Sequence, residues 1–182
     1  MSLFKAYDAE YPPASAPTDC HAVLGYIGGS ADHTWTVAEW NHASNNGRLR
    51  QGPIWGAQLD LEPTANGQAA AAAAKALGWG PGRCIWLDME NWQDETWVAA
   101  FIAAVKGSGY EEGTYGSQST VTANPVGKGG YWIADWNGNA VVSGENVSGH
   151  QYLANVSDGN TVVNYDVFEV SVIGLFGIGP RT

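Results

Sequence analysis

Short apolar runs, each bounded by Gly, Pro, Asn or Asp, recur along the whole chain, and their alternation with helical segments is the feature that most constrains the fold. Eight runs have the length and residue types of β-strands: LFKAYDA, AVLGYIG, PIWGAQLDL, CIWLDM, GTYGS, GYWIADW, GHQYLA and NYDVFEV. Eight strands in a chain of 182 residues favour a closed barrel, because this length supports one domain with a continuous core. We therefore expect a single domain spanning residues 1–182.

Helical patterns fill the gaps between the earlier strands. The plainest is TANGQAAAAAAKALG, in which an alanine run follows a polar start and Gly78 marks the end. DETWVAAFIAAVKGSG, with Asp94 as a candidate N-cap, and TWTVAEWNHASNNG are two more. Alternating strands and helices predict parallel pairing with right-handed crossovers. After about residue 125 the helical patterns end and hairpin-type NG and DG dipeptides follow, so the fold class is α/β, a TIM-like (β/α)5(β)3 barrel.

The charge and composition of the chain exclude several classes of function. A net charge of −10 argues against nucleic acid and anionic membranes as partners, because both require a basic face. No apolar run reaches transmembrane length, and MSLFKAYDAEYPP has no signal-peptide pattern, so we expect a soluble chain without an export signal. Cys20 and Cys84 have no metal-ligand spacing, and the four histidines are scattered, so we expect reduced thiols and no metal. Phosphate-binding, serine-hydrolase and zinc-protease motifs are absent, and we expect no cofactor.

The stretch CIWLDMENW places two carboxylates, Asp88 and Glu90, directly after a buried-strand pattern. Alternate residues of a barrel strand point inward, so both carboxylates should face the mouth at the carboxyl end of the fourth strand, where barrel enzymes build their active sites. Glycosidases use such a pair, one carboxyl as a proton donor and the other as a negative group beside the developing cation. The near copy Asp60-x-Glu62 is followed by Pro63 and a helix start, which indicates a helix N-terminus instead.

The order of these segments resembles that of family 25 glycoside hydrolases, the lysozymes, and of the bacterial glycoside-hydrolase-like domains related to them. The resemblance covers nearly the whole chain. It rests on the opening Asp of YDA, the D-x-E of IWLDME, the Tyr of GTYGS, the Trp of YWIADW, the Gln-Tyr of HQY and the last Asp of NYDVF, carried here by Asp8, Asp88, Glu90, Tyr115, Trp132, Gln151, Tyr152 and Asp166.

The resemblance implies a role for each of these residues. Glu90 would be the general acid, Asp88 would steer it and stabilise positive charge, and Asp8 and Asp166 would complete an acidic floor. The implied substrate is the β-1,4 glycan of bacterial peptidoglycan, cut by a lysozyme-like enzyme such as a phage lysin or virion component. The implied substrate contacts are Tyr115, Trp132, Gln151, Tyr152 and Trp92. The chain departs from the family at Ala9-Glu10 and in QLDLEP, and these changes place extra negative charge near the mouth, from Glu10, Asp60 or Asp135, so Asp60 and Asp135 are candidate substrate contacts as well.

Sugar rings stack on indoles through their apolar faces, which gives a purpose to the unusual number of tryptophans. The candidates are Trp55, Trp86, Trp92, Trp132 and Trp136, and the alternative for each is ordinary packing. A carbohydrate-binding or structural barrel that kept the cleft but lost the chemistry is the second hypothesis for the chain. An enzyme acting on a different glycan is the third. The convergence of Asp8, Asp88, Glu90 and Asp166 in one cleft is the feature that favours the enzyme.

Overall fold

The chain folds as a closed eight-stranded barrel, as the sequence predicted. The structure is a computed structural model that describes residues 2–90, 94–158 and 161–177. The strands are β1 Leu3–Ala9, β2 Ala22–Gly29, β3 Arg50–Gly56, β4 Cys84–Asp88, β5 Glu111–Ser117, β6 Gly130–Ala134, β7 Val147–Asp158 and β8 Thr161–Glu169. The helices are α1 Val37–Ala43, α2 Pro63–Ala76, α3 Glu95–Gly107 and α4 Gln118–Val121, and a 3₁₀ helix, Val170–Leu175, follows β8.

Strands β1 to β7 pair in parallel with their neighbours in chain order, and β8 closes the barrel antiparallel to both β7 and β1. Helices α1 to α4 form the crossovers from β2 to β6, as the sequence predicted, whereas β1–β2 and β6–β7 are parallel without a helix between them. The hairpin turn expected at Asn137-Gly138 is therefore wrong, because the strands on either side of it run in parallel. The first crossover differs from the expected pattern, because residues 10–21 contain turns and extended chain but no helix. Three prolines, Pro12, Pro13 and Pro17, lie in this segment and oppose helix formation.

Large aromatic side chains fill the barrel interior. Trp86 and Trp132 pack edge to face with ring centroids 5.8 Å apart, and Phe168 contacts both. Glycines make room for these rings: a Cβ at Gly113 would lie 2.5 Å from the Trp86 ring. Phe176, which follows the 3₁₀ helix, packs against Trp86 and Phe168 from the amino-terminal end of the strands. The interior is therefore a packed core and not a channel.

The helices cover the outer face of the barrel. Helix α2 carries the alanine run, and its small side chains let it approach α3 closely: a Cβ on Gly67 would lie 2.7 Å from the carbonyl oxygen of Phe101. Helix α3 is capped by Asp94, whose side chain accepts a hydrogen bond from the amide of Trp97, as predicted. Within the described residues, no helix is long and apolar enough to cross a membrane.

Candidate active site

An open groove of about 800 Å³ lies at the carboxyl end of the barrel. Its walls are formed by the ends of β1, β2, β4 and β5, by the loops that follow β1 and β2, and by the long β7–β8 hairpin. The polar and aromatic residues that line it are Asp8, Glu10, Tyr11, Tyr26, Ser30, Asp88, Glu90, Tyr115, Asn155 and Asn164. Three of the four acids that the sequence singled out therefore line one groove, and the fourth, Asp166, lies behind Asp8.

Asp8 is the penultimate residue of β1, and its carboxylate is held by two amides. Oδ1 accepts a hydrogen bond from Gln151 Nε2 at 2.7 Å, and Oδ2 accepts one from Asn164 Nδ2 at 3.0 Å. Asp8 is only 5% exposed, and this burial raises the pKa of its carboxyl, while the two amide donors oppose the increase. The arrangement suits an ionised Asp8, because a carboxylate accepts both bonds without needing a proton of its own.

Asp166 lies inside the barrel on β8 and is completely buried. Its Oδ1 accepts a hydrogen bond from Trp132 Nε1 at 3.0 Å, whereas Oδ2 accepts none from the described residues. Burial raises the pKa of Asp166 well above its usual range, and the charge of Asp8 and a hydrogen bond to it raise it further. Two buried carboxyls this close favour a state in which the pair carries one negative charge and not two.

Asp88 ends β4 and points into the groove. Its Oδ2 accepts a hydrogen bond from the hydroxyl of Tyr26 at 2.6 Å, and its Oδ1 lies 3.3 Å from the backbone amide of Glu90. Burial raises the pKa of Asp88 to about 6, against the lowering effect of the Tyr26 hydroxyl. This carboxyl therefore exchanges its proton in the range where enzymes use general acids and bases.

Glu90 lies two residues beyond Asp88, in the turn that follows β4, and its side chain is exposed along the groove. Burial is the first cause of the raised pKa of Asp8 and of Asp88. The negative charge of Glu90 raises both pKa values further. The three carboxyl groups are thus close enough to interact, and Glu90 is the one most open to solvent. Trp92, a predicted substrate contact two residues further along the sequence, lies outside the described residues.

Gln151 links several parts of this end of the barrel. It is 1% exposed, and besides donating to Asp8 it accepts hydrogen bonds at Oε1 from the Tyr115 hydroxyl at 3.0 Å and from Trp136 Nε1 at 2.5 Å. Tyr115, one of the implied substrate contacts, lines the groove. Gln151 lies beneath the surface, so its amide orients its neighbours and has almost no surface for a ligand.

Three of the five candidate stacking tryptophans are buried, so the prediction that they stack on sugar rings is wrong. Trp132, one of the predicted substrate contacts, is completely buried, as is Trp86, and Trp55 packs under α2 with its Nε1 donating to Asn66 Oδ1 at 2.6 Å. Trp86 and Trp132 do point inward, but they lie below the mouth in the packed layer of the barrel. Trp132 instead contacts the site from beneath, through its hydrogen bond to Asp166.

Three more predicted contacts lie away from the groove. Tyr152 follows inward-facing Gln151 on β7, so strand alternation turns its ring to the outer face, near Lys5 and Cys20. Asp60 is exposed in the turn before α2. Asp135 lines a separate hollow of about 270 Å³ on the outer side of β6 and β7, where its Oδ2 accepts a hydrogen bond from Asn137 Nδ2 at 2.6 Å. These three residues do not line the groove.

Two residues that hold the acids were missed from the sequence. Tyr26 shares the inward face of β2 with Leu24, and Asn164 lies two residues before Asp166 on the same face of β8. Strand alternation was the signal for both. Their depth was not visible, because it depends on the register between β8 and β1, which pairs Asn164 with Asp8.

Comparison with known proteins agrees with this architecture. The sequence model of a family described as "Rv2525c-like, glycoside hydrolase-like domain" matches residues 18–169. No curated protein matches the chain in a sequence comparison.

Several solved structures are similar to this fold. An uncharacterized B. stearothermophilus protein is 15% identical with a TM-score of 0.70, over 95% of this chain and 99% of the other. The bacterial lysozyme from Streptomyces coelicolor is 18% identical with a TM-score of 0.68, over 96% and 97%. The modular autolysin LytC from Streptococcus pneumoniae, solved in complex with a synthetic peptidoglycan ligand, is 14% identical with a TM-score of 0.65, over 92% of this chain and 47% of the other. Identities this low establish the shared fold and nothing finer.

Proposed function

Since the chain belongs to the family of Rv2525c-like glycoside hydrolase-like domains, we propose that it is a glycosidase that cleaves the β-1,4 glycan of bacterial peptidoglycan. The observation that carries the proposal is the convergence of Asp8, Asp88 and Glu90, from β1 and from the end of β4, on one open groove. The similarity in fold to a lysozyme, and to an autolysin solved with a peptidoglycan ligand, supports this choice of glycan and a lysin-like role at the cell wall.

In this mechanism Glu90 is the general acid. Its exposed carboxyl gives a proton to the glycosidic oxygen as the bond from that oxygen to the anomeric carbon breaks. Water then supplies the hydroxyl that completes the new reducing end, and its other proton returns to the Glu90 carboxylate. Each turnover therefore consumes one water molecule and leaves the protein unchanged.

Asp88 and Asp8 provide the negative charge that the reaction needs. The anomeric carbon becomes positively charged as the leaving group departs, and ionised carboxylates in a partly desolvated groove stabilise that charge. Asp88 is ionised above its pKa of about 6, helped by the Tyr26 hydroxyl. Asp8 is held as an anion by Gln151 and Asn164, with Asp166 as the protonated partner behind it.

A test compares the two D-x-E sequences of the chain. Glu90→Gln removes the transferable proton and should lower the rate of glycan cleavage about 100-fold or more, the usual contribution of a general acid. Glu62→Gln is the matched control, because Glu62 has the same sequence context but lies at the start of α2, away from the groove. New reducing ends on purified peptidoglycan, with product masses by mass spectrometry, are the measurement. Equal rates for wild type and Glu90→Gln would remove Glu90 from the mechanism.

A carbohydrate-binding barrel is the second candidate function. The observation that favours it is the complete burial of Asp166, which turns one of the four acids into part of the floor and away from any ligand. This function requires saccharide-dependent quenching of tryptophan fluorescence without new reducing ends. The same peptidoglycan samples therefore separate the two candidates.

A further inference from the structure

The indole of Trp136 is exposed at the carboxyl end of the barrel. It is 62% exposed, whereas the other tryptophans in the described part of the chain are buried or partly buried. Trp136 lies two residues beyond the end of β6, on the same end of the barrel as the groove. An indole exposed at this end of the barrel offers a flat apolar face to a ligand that reaches beyond the groove.

The exposed indole is also fixed in place. Its Nε1 donates to Gln151 Oε1 at 2.5 Å, and Gln151 is itself buried. The orientation of that amide is determined by Asp8: a carboxylate can only accept, so Nε2 of Gln151 must face Asp8 and Oε1 must face Trp136. An aromatic surface held in this way loses little conformational freedom when a ligand packs on it.

The position of Trp136 continues the groove on its β5–β6 side. Tyr115 of β5 lines the groove and donates to the same Gln151 oxygen as Trp136 does. The remaining walls come from β1, β2, β4 and the β7–β8 hairpin, and no residue of β6 lines the groove. Trp136 follows β6, so it lies beside the groove on this side. A glycan lying across the acids and leaving on this side would pass over the indole.

We propose that Trp136 is a sugar-stacking subsite that extends the groove, and that Gln151 is the positioning residue that holds this subsite in register with Asp8. The ligand is a pyranose ring of a β-1,4-linked glycan strand, which offers an apolar C–H face to the indole. This inference rests on the proposed function, because it concerns a longer portion of the same substrate. It predicts that the protein distinguishes long strands from short ones.

The test for Trp136 measures binding in the Glu90→Gln protein, so that turnover does not interfere. The probes are glycan strands released from peptidoglycan by an amidase and separated by length into disaccharides, tetrasaccharides and hexasaccharides. Trp136→Ala should weaken hexasaccharide binding about tenfold by calorimetry, and leave disaccharide binding unchanged. Trp136→Phe keeps a ring but loses the bond to Gln151, so its affinity for the hexasaccharide should lie between those of the parent protein and Trp136→Ala.

Val170→Ala is the matched control, because Val170 is an exposed apolar residue just beyond β8 and adjacent to the opposite end of the barrel. It should bind all lengths like the parent. Equal weakening of every length by Trp136→Ala, or of none, overturns the subsite while leaving the proposed function standing. Failure of the parent protein to bind any strand overturns the proposed function, and the subsite with it.

The role of Gln151 needs a readout that a purely structural residue would not change. Gln151→Met keeps the length of the side chain but removes both the donor to Asp8 and the acceptor for Trp136. In a protein with Glu90 intact, the loss of the acceptor for Trp136 should raise KM for hexasaccharides more than for tetrasaccharides. The loss of the donor to Asp8 should raise the pKa of Asp8 and so move the acid limb of the pH–rate profile to higher pH. Gln151→Glu keeps an acceptor for Trp136 and serves if the Met variant fails to fold. It should keep the length preference and still shift the acid limb. Unchanged pH profiles in both variants overturn the positioning role.

Discussion

At the scale of single residues, the site works by giving similar carboxyl groups different surroundings. Asp166 is buried and its pKa is raised by that burial, Asp8 is buried but held by two amides, Asp88 has one hydroxyl donor, and Glu90 is exposed. The D-x-E pair was identified correctly as groove-lining from its sequence alone, and its catalytic roles stay a prediction. Tyr26, which donates a hydrogen bond to Asp88, was not predicted, because the sequence of an apolar strand does not show which residue its tyrosine will contact.

Tyr26 gives a prediction at this scale. Tyr26→Phe removes the hydrogen bond that lowers the pKa of Asp88, so that pKa should rise from about 6 by about one unit, the usual effect of one bond to a charged group. Activity that requires ionised Asp88 is lost as pH falls through this pKa, so the acid limb of kcat/KM should move to higher pH while the rate at pH 8 changes little. Tyr11→Phe, on the same groove, should leave the limb in place. An unshifted limb in Tyr26→Phe would show that Asp88 does not set it.

At the scale of elements, the positions of helices and strands followed from local patterns, but the depth of each side chain did not. Trp132 and Tyr115 both occupy inward-facing positions on neighbouring strands, and β5–β6 pairing places them side by side. Tyr115 nevertheless reaches the groove, while Trp132 is enclosed by Trp86 and Phe168. Strand alternation predicts which face a residue occupies, and only the packing of the whole layer decides whether it reaches solvent.

The contact between α2 and α3 gives a prediction for an element. Gly67→Ala should destabilise the protein by about 1–3 kcal/mol, although alanine is the better helix former, because the added Cβ would lie 2.7 Å from the Phe101 carbonyl and 2.8 Å from Ala104 Cβ. Chemical denaturation is the measurement. Gln68→Ala, exposed on the next position of the same helix, should change stability by less than about 0.5 kcal/mol. A stabilised Gly67→Ala would mean that the two helices can separate without cost.

At the scale of the whole molecule, the protein buries several acids, and this links its stability to pH. Besides the acids of the groove, Glu112 on β5 is completely buried, where it accepts hydrogen bonds from the Thr114 hydroxyl and from the Gly127 amide, both at 2.7 Å. Burial raises the pKa of Glu112 from 4.5 to about 7 despite these donors. Between these two pKa values the folded state holds a proton on Glu112 that the unfolded state releases. The stability that Glu112 contributes is therefore greatest below the unfolded pKa.

The corresponding prediction concerns thermal unfolding across pH. The contribution of Glu112 should be fully present below about pH 4.5 and be lost as pH rises through about 7, a change of up to about 3 kcal/mol. Glu112→Gln, which is neutral at every pH, should flatten the fall in Tm between pH 5 and 8. Glu145→Gln, at an exposed position, should keep the wild-type slope. Parallel slopes for wild type and Glu112→Gln would contradict the prediction.

The sequence by itself determined the strands, the main helices and the acid pair at the end of β4, because each depends on interactions between residues near one another along the chain. The tertiary structure decided the rest: the pairing of Asn164 with Asp8, the enclosure of Trp132, the outward turn of Tyr152 and the tether from Trp136 to Asp8 through Gln151. These depend on the register between strands as far apart as β1 and β8. Local patterns leave that register open, and it becomes fixed only when the barrel closes around its aromatic core.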